Sequence, residues 1–159
     1  MIPGRPVTLA DAPAIQALID EDPETYAVLE GAPVRPDEAD QLLRELPPGF
    51  PAERRYTHVL DGLAVIDLLQ GYPDEHTWVL GLIFIAPGAR GRGLGTQLIE
   101  AICAHVRAAG GRTLRLGVVP ANTGARRLYD RLGFVHVGRR TRTNWAGAPQ
   151  DVDVLERAV

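Results

Sequence analysis

Between Ala86 and Thr96 the chain reads Ala-Pro-Gly-Ala-Arg-Gly-Arg-Gly-Leu-Gly-Thr, with Arg90 and Arg92 interleaved among Gly91, Gly93 and Gly95. Glycines there let backbone approach a bulky anion with no Cβ between them, and they accept the positive φ that tight turns need. An apolar run from Trp78 to Ile85 precedes the stretch and an amphipathic segment follows it. Strand, glycine-rich turn and helix start therefore come in that order. The first N–H groups of a helix have no intrahelical acceptor and carry the positive end of its dipole, about half a unit charge. The chemistry on offer is anion binding, by main-chain amides first and by two guanidinium groups second.

Three phosphate-binding patterns can be tested against these residues. A P-loop needs G-x-x-x-x-G-K-[ST]. Gly88 and Gly93 stand at its interval, but Leu94 and Gly95 occupy the lysine and hydroxyl positions. A dinucleotide fingerprint needs G-x-G-x-x-G. Its third glycine would fall on Thr96 or Leu98. What fits at every fixed position is R-x-x-G-x-G, from Arg90 to Gly95. A second pattern follows the next helix and strand: Asn122-x-x-Ala125-x-x-Leu128-Tyr129-x-x-Leu132-Gly133-Phe134. In that order and at that separation, the two motifs resemble the signatures of the GCN5-related N-acetyltransferase (GNAT) superfamily. The likeness is strongest from Leu63 to Arg140.

The resemblance implies an α/β (α+β) domain spanning residues 1–159, a single N-acetyltransferase domain. Its fold would be a mixed, mostly antiparallel twisted sheet of six to seven strands with helices on both faces. It implies acetyl-coenzyme A as cosubstrate and no metal. The pantetheine arm would bond the main chain of Ile83 and Ile85. The diphosphate would rest on the N–H groups of Gly91 to Gly95, with Thr96, Arg90 and Arg92 as further donors. Asn122 would cap the short helix and bond near the pantetheine. Tyr129 would point its hydroxyl at the coenzyme sulfur and serve the leaving thiolate. An amine would attack the thioester directly, with main-chain N–H groups near Ile83 and Ile85 stabilising the oxyanion. Cys103 lies mid-helix and reads as packing, so no acyl-enzyme is expected.

A general base is harder to place. Relatives carry Glu or His eleven or nine residues before the loop's first Arg or Gln, and here those positions are Val79 and Gly81. Neither titrates. Asp67 is a carboxylate inside the apolar run Val65-Ile66-Asp67-Leu68-Leu69, so it either faces a cleft or has a buried partner. Glu75 would share a face with Val79 and Gly81 if that strand ran regularly. Asp67 and Glu75 are therefore the candidate bases, with His76 and a water chain behind them.

These groups must be held by elements that the patterning outlines. Val7–Leu9 reads as a strand and Asp11 as the N-cap of a helix to Asp20. Glu21 to Val34 is turn-rich and has no assignment. Pro36–Leu46 reads as a helix, Arg55–Leu60 and Leu63–Gln70 as a hairpin about Asp61-Gly62, and His76–Ile85 as the next strand. From Gly95 to Ala109, Leu98, Ile102 and Val106 fall at i, i+4 and i+8. An alternating strand, Arg112–Val119, a short helix after Asn122 and a closing pair (Phe134–Arg139 with Asp151–Leu155) complete the chain.

Composition bounds the remaining possibilities. At 159 residues with 45% hydrophobic and 23% charged content, the chain fits one globular domain. All 17 basic residues are arginine and the net charge is −3, which argues against general nucleic-acid binding. No apolar window approaches the ~20 residues of a membrane span. One cysteine and no signal-peptide layout favour a cytoplasmic location. The expected partner is an amine acceptor, a small molecule before a protein, and the acidic balance leans toward a cationic one. Homodimer formation is left open. Two alternatives stand beside the transferase: a non-catalytic acyl-coenzyme A sensor, and a transferase of a larger acyl group.

Overall fold

The computed structural model describes residues 1–159. Strand β1 (Arg5–Pro6) leads through a 3₁₀ turn to α1 (Ala12–Asp20), α2 (Pro23–Glu30) and α3 (Glu38–Arg44). Strands β2 (Arg55–Leu60), β3 (Ala64–Gln70) and β4 (Thr77–Ile85) form a meander. The glycine-rich loop, α4 (Leu94–Ala108), β5 (Thr113–Val118), α5 (Thr123–Arg131), β6 (Val135–Thr143) and β7 (Pro149–Ala158) follow. All seven strands join one sheet in the order β1-β2-β3-β4-β5-β7-β6. Only β4 and β5 pair in parallel. The mixed, mostly antiparallel sheet with helices on both faces is the architecture expected.

Each sheet face buries its own core. Leu98, Ile99, Ile102 and Val106 of α4 pack on Ile66, Leu68, Trp78, Leu80, Leu114 and Leu116. On the other face Ile15, Leu18 and Ile19 of α1 and Tyr26 of α2 pack on Val59, Val65 and Phe84. Alternation along β3 explains the split: Ile66 and Leu68 face α4, Val65 faces α1.

Four boundaries differ from the sequence reading. Val7–Leu9 is not a strand: the Thr8 N–H donates to Asp11 Oδ2 at 2.8 Å, closing a turn that ends β1 at Pro6. The unassigned segment contains α2, started by Asp22, whose side chain accepts from the Thr25 N–H, and ended by Gly31 at φ 68°. Helix α3 is shorter than Pro36–Leu46, running from Glu38 to Arg44. The closing pair is longer, with a register shift between His136 and Gly138.

Candidate active site

The parallel pairing of β4 with β5 lasts only from Thr77/Thr113 to Leu80/Leu116. Beyond it each strand keeps its outer neighbour: β4 stays with β3 as far as Ile85/Ala64, and β5 with β7 as far as Val118/Asp153. Gly81 is the extra residue where the β3–β4 register shifts, and the bend there opens the sheet. The Ala86 N–H donates to Leu63 O, so alternation turns the polar groups of Phe84 toward β3 and those of Ile83 and Ile85 into the opening. The side chains of Ile83 and Ile85 pack against the α4-side core.

At the mouth of the opening, Gly91 and Gly93 take φ of 74° and 80°, and a Cβ on either would project into open space. Gly93 is the N-cap of α4 and supplies no capping side chain. The first main-chain bond into the helix is Gln97 N–H to Gly93 O, so the amides of Leu94, Gly95 and Thr96 have no acceptor within the helix. Gly95 serves a different purpose: a Cβ there would meet Leu128 Cδ2 at 3.3 Å and Ile85 Cδ1 at 3.5 Å, so it lets α5 approach α4. The cradle has the open shape and main-chain donors of an anion site.

The arginines do not act alike. Arg90 is committed to the protein: Nε donates to Ile85 O at 2.8 Å, Nη1 to Asp22 Oδ2 at 2.5 Å, and the guanidinium lies 5.4 Å from the Phe84 ring centroid. It fastens the loop to the start of α2 and closes the Ile85 carbonyl that the sequence reading left free. The Thr25 hydroxyl and Arg90 together hold the Asp22 carboxyl below the ordinary carboxylate range. Arg92 borders a separate depression beside Gly88 and Gln97.

Helix α2 is fastened at its other end too. Arg142 Nη2 donates to Leu29 O at 2.7 Å and Asn144 Nδ2 to Gly31 O at 3.1 Å. The terminal carbonyls are thus capped by the β6–β7 hairpin, with a cation at the negative end of the dipole. A Cβ on Gly31 would lie 2.6 Å from Gln150 Nε2, so glycine is needed for this contact as well as for its φ.

Helix α5 brings Tyr129 to the inner end of the opening. Asn122 caps that helix, accepting from the Ala125 N–H at 3.3 Å. The Tyr129 ring is buried edge-on against Phe134, with centroids 5.6 Å apart. Its hydroxyl has no protein hydrogen-bond partner, and burial pushes its pKa up to about 12. Two cavities meet there. One of ≈ 530 Å³ runs inward from Gly91, Gly93 and Thr96. The other, ≈ 120 Å³, lies beyond Tyr129 on the floor between β4 and β5. Leu29, Ile83, Asn122 and Tyr129 border both.

The walls of the second cavity carry groups that the sequence reading missed. Glu30, Arg140 and Arg142 line it, with Val79, Gly81 and Gly117 beneath. Burial raises the Glu30 carboxyl above its ordinary range, opposed by Arg142 at 4.0 Å. A Cβ on Gly117 would meet Val152 Cγ1 at 2.6 Å. A local signal for Glu30 existed, because Asp22-Pro23 and Gly31 bracket a helix that ends on it.

Both candidate bases lie elsewhere. Asp67 borders neither cavity: its Oδ1 accepts from Arg55 Nε at 2.8 Å and from the Thr57 hydroxyl at 2.7 Å, while Arg55 also donates to the Glu45 and Leu42 carbonyls. It is the buried-partner outcome. Glu75 sits in the exposed turn before β4, its side chain 82% exposed and 3.3 Å from His76. The strand starts only at Thr77 and shifts register at Gly81, so Glu75 does not continue the face of Val79. The structure therefore gathers Ile83, Ile85, the glycine cradle, Thr96, Asn122 and Tyr129 around one groove, and leaves Asp67, Glu75 and Arg92 outside it.

Fold and groove together define an acetyltransferase of the GNAT type. A family model described as the acetyltransferase (GNAT) family matches residues 15–134, and the chain belongs to that family. Phosphinothricin N-acetyltransferase of Streptomyces coelicolor is 28% identical over 120 residues, 72% of this chain and 70% of that protein. Mycothiol acetyltransferase of Streptosporangium roseum is 36% identical over 87 residues, 55% of this chain but only 22% of that protein. Among solved structures, an acetyltransferase from Thermus thermophilus superposes with a TM-score of 0.72 at 25% identity, covering 97% of this chain and 94% of that one.

Proposed function

We propose that this chain transfers the acetyl group of acetyl-coenzyme A to the amine of a small molecule, by direct attack with both substrates bound. The observation that carries the reading is the convergence of two cavities on Tyr129, one beginning at an anion cradle and the other lined by charged side chains. The family's use of acetyl-coenzyme A, and relatives named as N-acetyltransferases, support the same assignment.

Each part of the chain then has a physical task. Amides of Gly91 to Thr96 take the diphosphate, helped by the α4 dipole. Main-chain groups of Ile83 and the Ile85 N–H extend the sheet through the pantetheine, leaving the thioester beside Tyr129. N–H groups of β4 near Ile83 stabilise charge on the carbonyl oxygen, worth ~3 kcal/mol where such donors are preorganised. As the amine nitrogen bonds the carbonyl carbon, the carbon–sulfur bond breaks and its electron pair stays on sulfur. Tyr129 donates a hydrogen bond to that sulfur.

The sensor alternative rests on Val79 and Gly81, which hold no proton. The cavity beyond Tyr129, with a carboxylate in its wall, favours turnover. Calorimetry with acetyl-coenzyme A, alongside thiol release with an amine panel, tests the choice. Binding with acceptor-dependent thiol release is expected. Tight binding without turnover on any amine would leave the sensor, and no binding would remove both.

A further inference from the structure

The acceptor cavity is charged in a way that amine acetylation alone does not require. Arg140 and Arg142 stand two residues apart on β6, paired with Val152 and Gln150, and both border the cavity. Arg142 is spent on Leu29 O and Gln150 Oε1. Arg140 is exposed and makes no ion pair and no side-chain hydrogen bond within the protein. Neighbouring arginines are matched instead. Arg115 pairs with Glu156 at 2.5 Å, Arg35 with Glu38 at 2.9 Å, Arg55 with Asp67 at 2.8 Å. Arg139 points to the opposite face, onto Asp153 at 2.8 Å. The Glu30 carboxylate accepts no hydrogen bond, and its one ion pair, with Arg142, stands at 4.0 Å, with Arg35 acting from further off. The wall thus presents one unspent guanidinium and one weakly held carboxylate, with a net positive balance.

A purely cationic acceptor would meet that balance unfavourably, and a neutral amine would leave Arg140 idle. We propose that the acceptor is a zwitterion: an amine bearing a carboxylate or similar oxyanion, whose anionic end is held by Arg140 beside Arg142 and whose amine end is held by Glu30. This differs from the leaning toward a cationic acceptor drawn from net charge. The planar guanidinium suits an oxyanion, which it can bond through two N–H groups at once. Glu30, the last residue of α2 and the one carboxylate lining the cavity, accepts from the ammonium and can take its proton. Gly81 and Gly117 lie on the floor between the two ends. The inference rests on the transferase reading and names the substrate class of its second cavity.

The test is a panel of matched pairs, each an amino acid and the amine left when its carboxylate is removed, assayed by thiol release with wild type and with Arg140→Gln and Arg140→Lys. Wild type should favour the carboxylate-bearing member in kcat/KM. Loss of one charge-assisted contact in Arg140→Gln should shrink that preference about tenfold, through KM, with Arg140→Lys restoring part of it. Equal or greater kcat/KM for the decarboxylated members, or an unchanged preference ratio in Arg140→Gln, would overturn the zwitterion assignment while the transferase reading stands. Thiol release with no amine in the panel, despite measurable acetyl-coenzyme A binding, would overturn both.

Discussion

Replacing Tyr129 by phenylalanine separates a chemical role from a packing one. The phenol pKa is raised to about 12 by burial, and a coenzyme thiol has a reference value near 8.5. That gap of ~3.5 units makes complete proton transfer to sulfur unfavourable by ~5 kcal/mol. Burial would raise a thiol's pKa as well and narrow the difference, but the role proposed for the hydroxyl remains hydrogen-bond donation to developing thiolate rather than full proton transfer. A bond to a charged partner contributes ~1.5–3 kcal/mol, so its removal should slow the acetyl-transfer step ~10–150-fold. Tyr129→Phe keeps the ring against Phe134 and removes a hydroxyl that no protein group engages. Folding stability should therefore change by less than ~1 kcal/mol and the melting temperature by only a few degrees. Single-turnover thiol release isolates the transfer step from product release, and calorimetry on the same variant should return an acetyl-coenzyme A affinity close to wild type. A rate within about twofold of wild type would refute the reasoning, since even the weakest such hydrogen bond predicts more. A fall in melting temperature matching the loss of rate would assign the residue to packing.

Other perturbations separate the remaining roles. Gly93→Asp places a good capping side chain at the N-cap of α4, at a φ of 80° that strains it by ~1–2 kcal/mol; the protein should fold, yet acetyl-coenzyme A binding should vanish from calorimetry because a carboxylate occupies the anion cradle. Asp67→Ala leaves the buried Arg55 guanidinium without its carboxylate, which should cost ~3–5 kcal/mol. At ~2–4 °C per kcal/mol the melting temperature drops by ~6–20 °C, while the rate per folded molecule holds if Asp67 is no base. Glu30→Gln should move stability and activity in opposite directions. The folded pKa of Glu30 is raised by burial, so its favourable contribution is complete below the ordinary glutamate value near 4.3 and is lost as pH rises through the folded value. Glutamine removes that penalty, so denaturant midpoints at neutral pH should rise, whereas kcat/KM for an amine should fall and lose the acid limb that Glu30 protonation imposes.

Local signals were enough for the elements that form the groove proposed for the coenzyme. Leu98, Ile102 and Val106 form the buried stripe their spacing implies, and Asn122 caps the helix it precedes. The glycines at 91 and 93 take the positive φ that motivated their reading. The acceptor side escaped because its organisation is long-range. Helix α2 has eight residues and a weak apolar face, and what secures it is Arg90, Arg142, Asn144 and Gln150, far along the chain. No window of sequence contains those pairings. Asp67 is an intermediate case. Its partners Arg55 and Thr57 lie on the adjacent strand, and Thr57 stands directly opposite it. Setting the hairpin register about Asp61-Gly62 would have placed the hydroxyl beside the carboxylate.

A sheet split along its parallel seam holds two interior edges, and such edges are prone to close on one another. Several features oppose closure here. The bulge at Gly81 turns β4 away while β3 remains paired with it to the end. The contact between Gly117 and Val152 seats β5 against β7. Helix α2 spans the two halves, its start tied through Asp22 to Arg90 after β4 and its end through Leu29 O to Arg142 on β6. Main-chain groups of Ile83 turned into the opening are the consequence. An extended, amide-containing arm could bond them in place of the missing strand. The same strap carries Glu30 over the far end of the seam. The residues that keep the groove open thus also set where the Glu30 carboxylate stands.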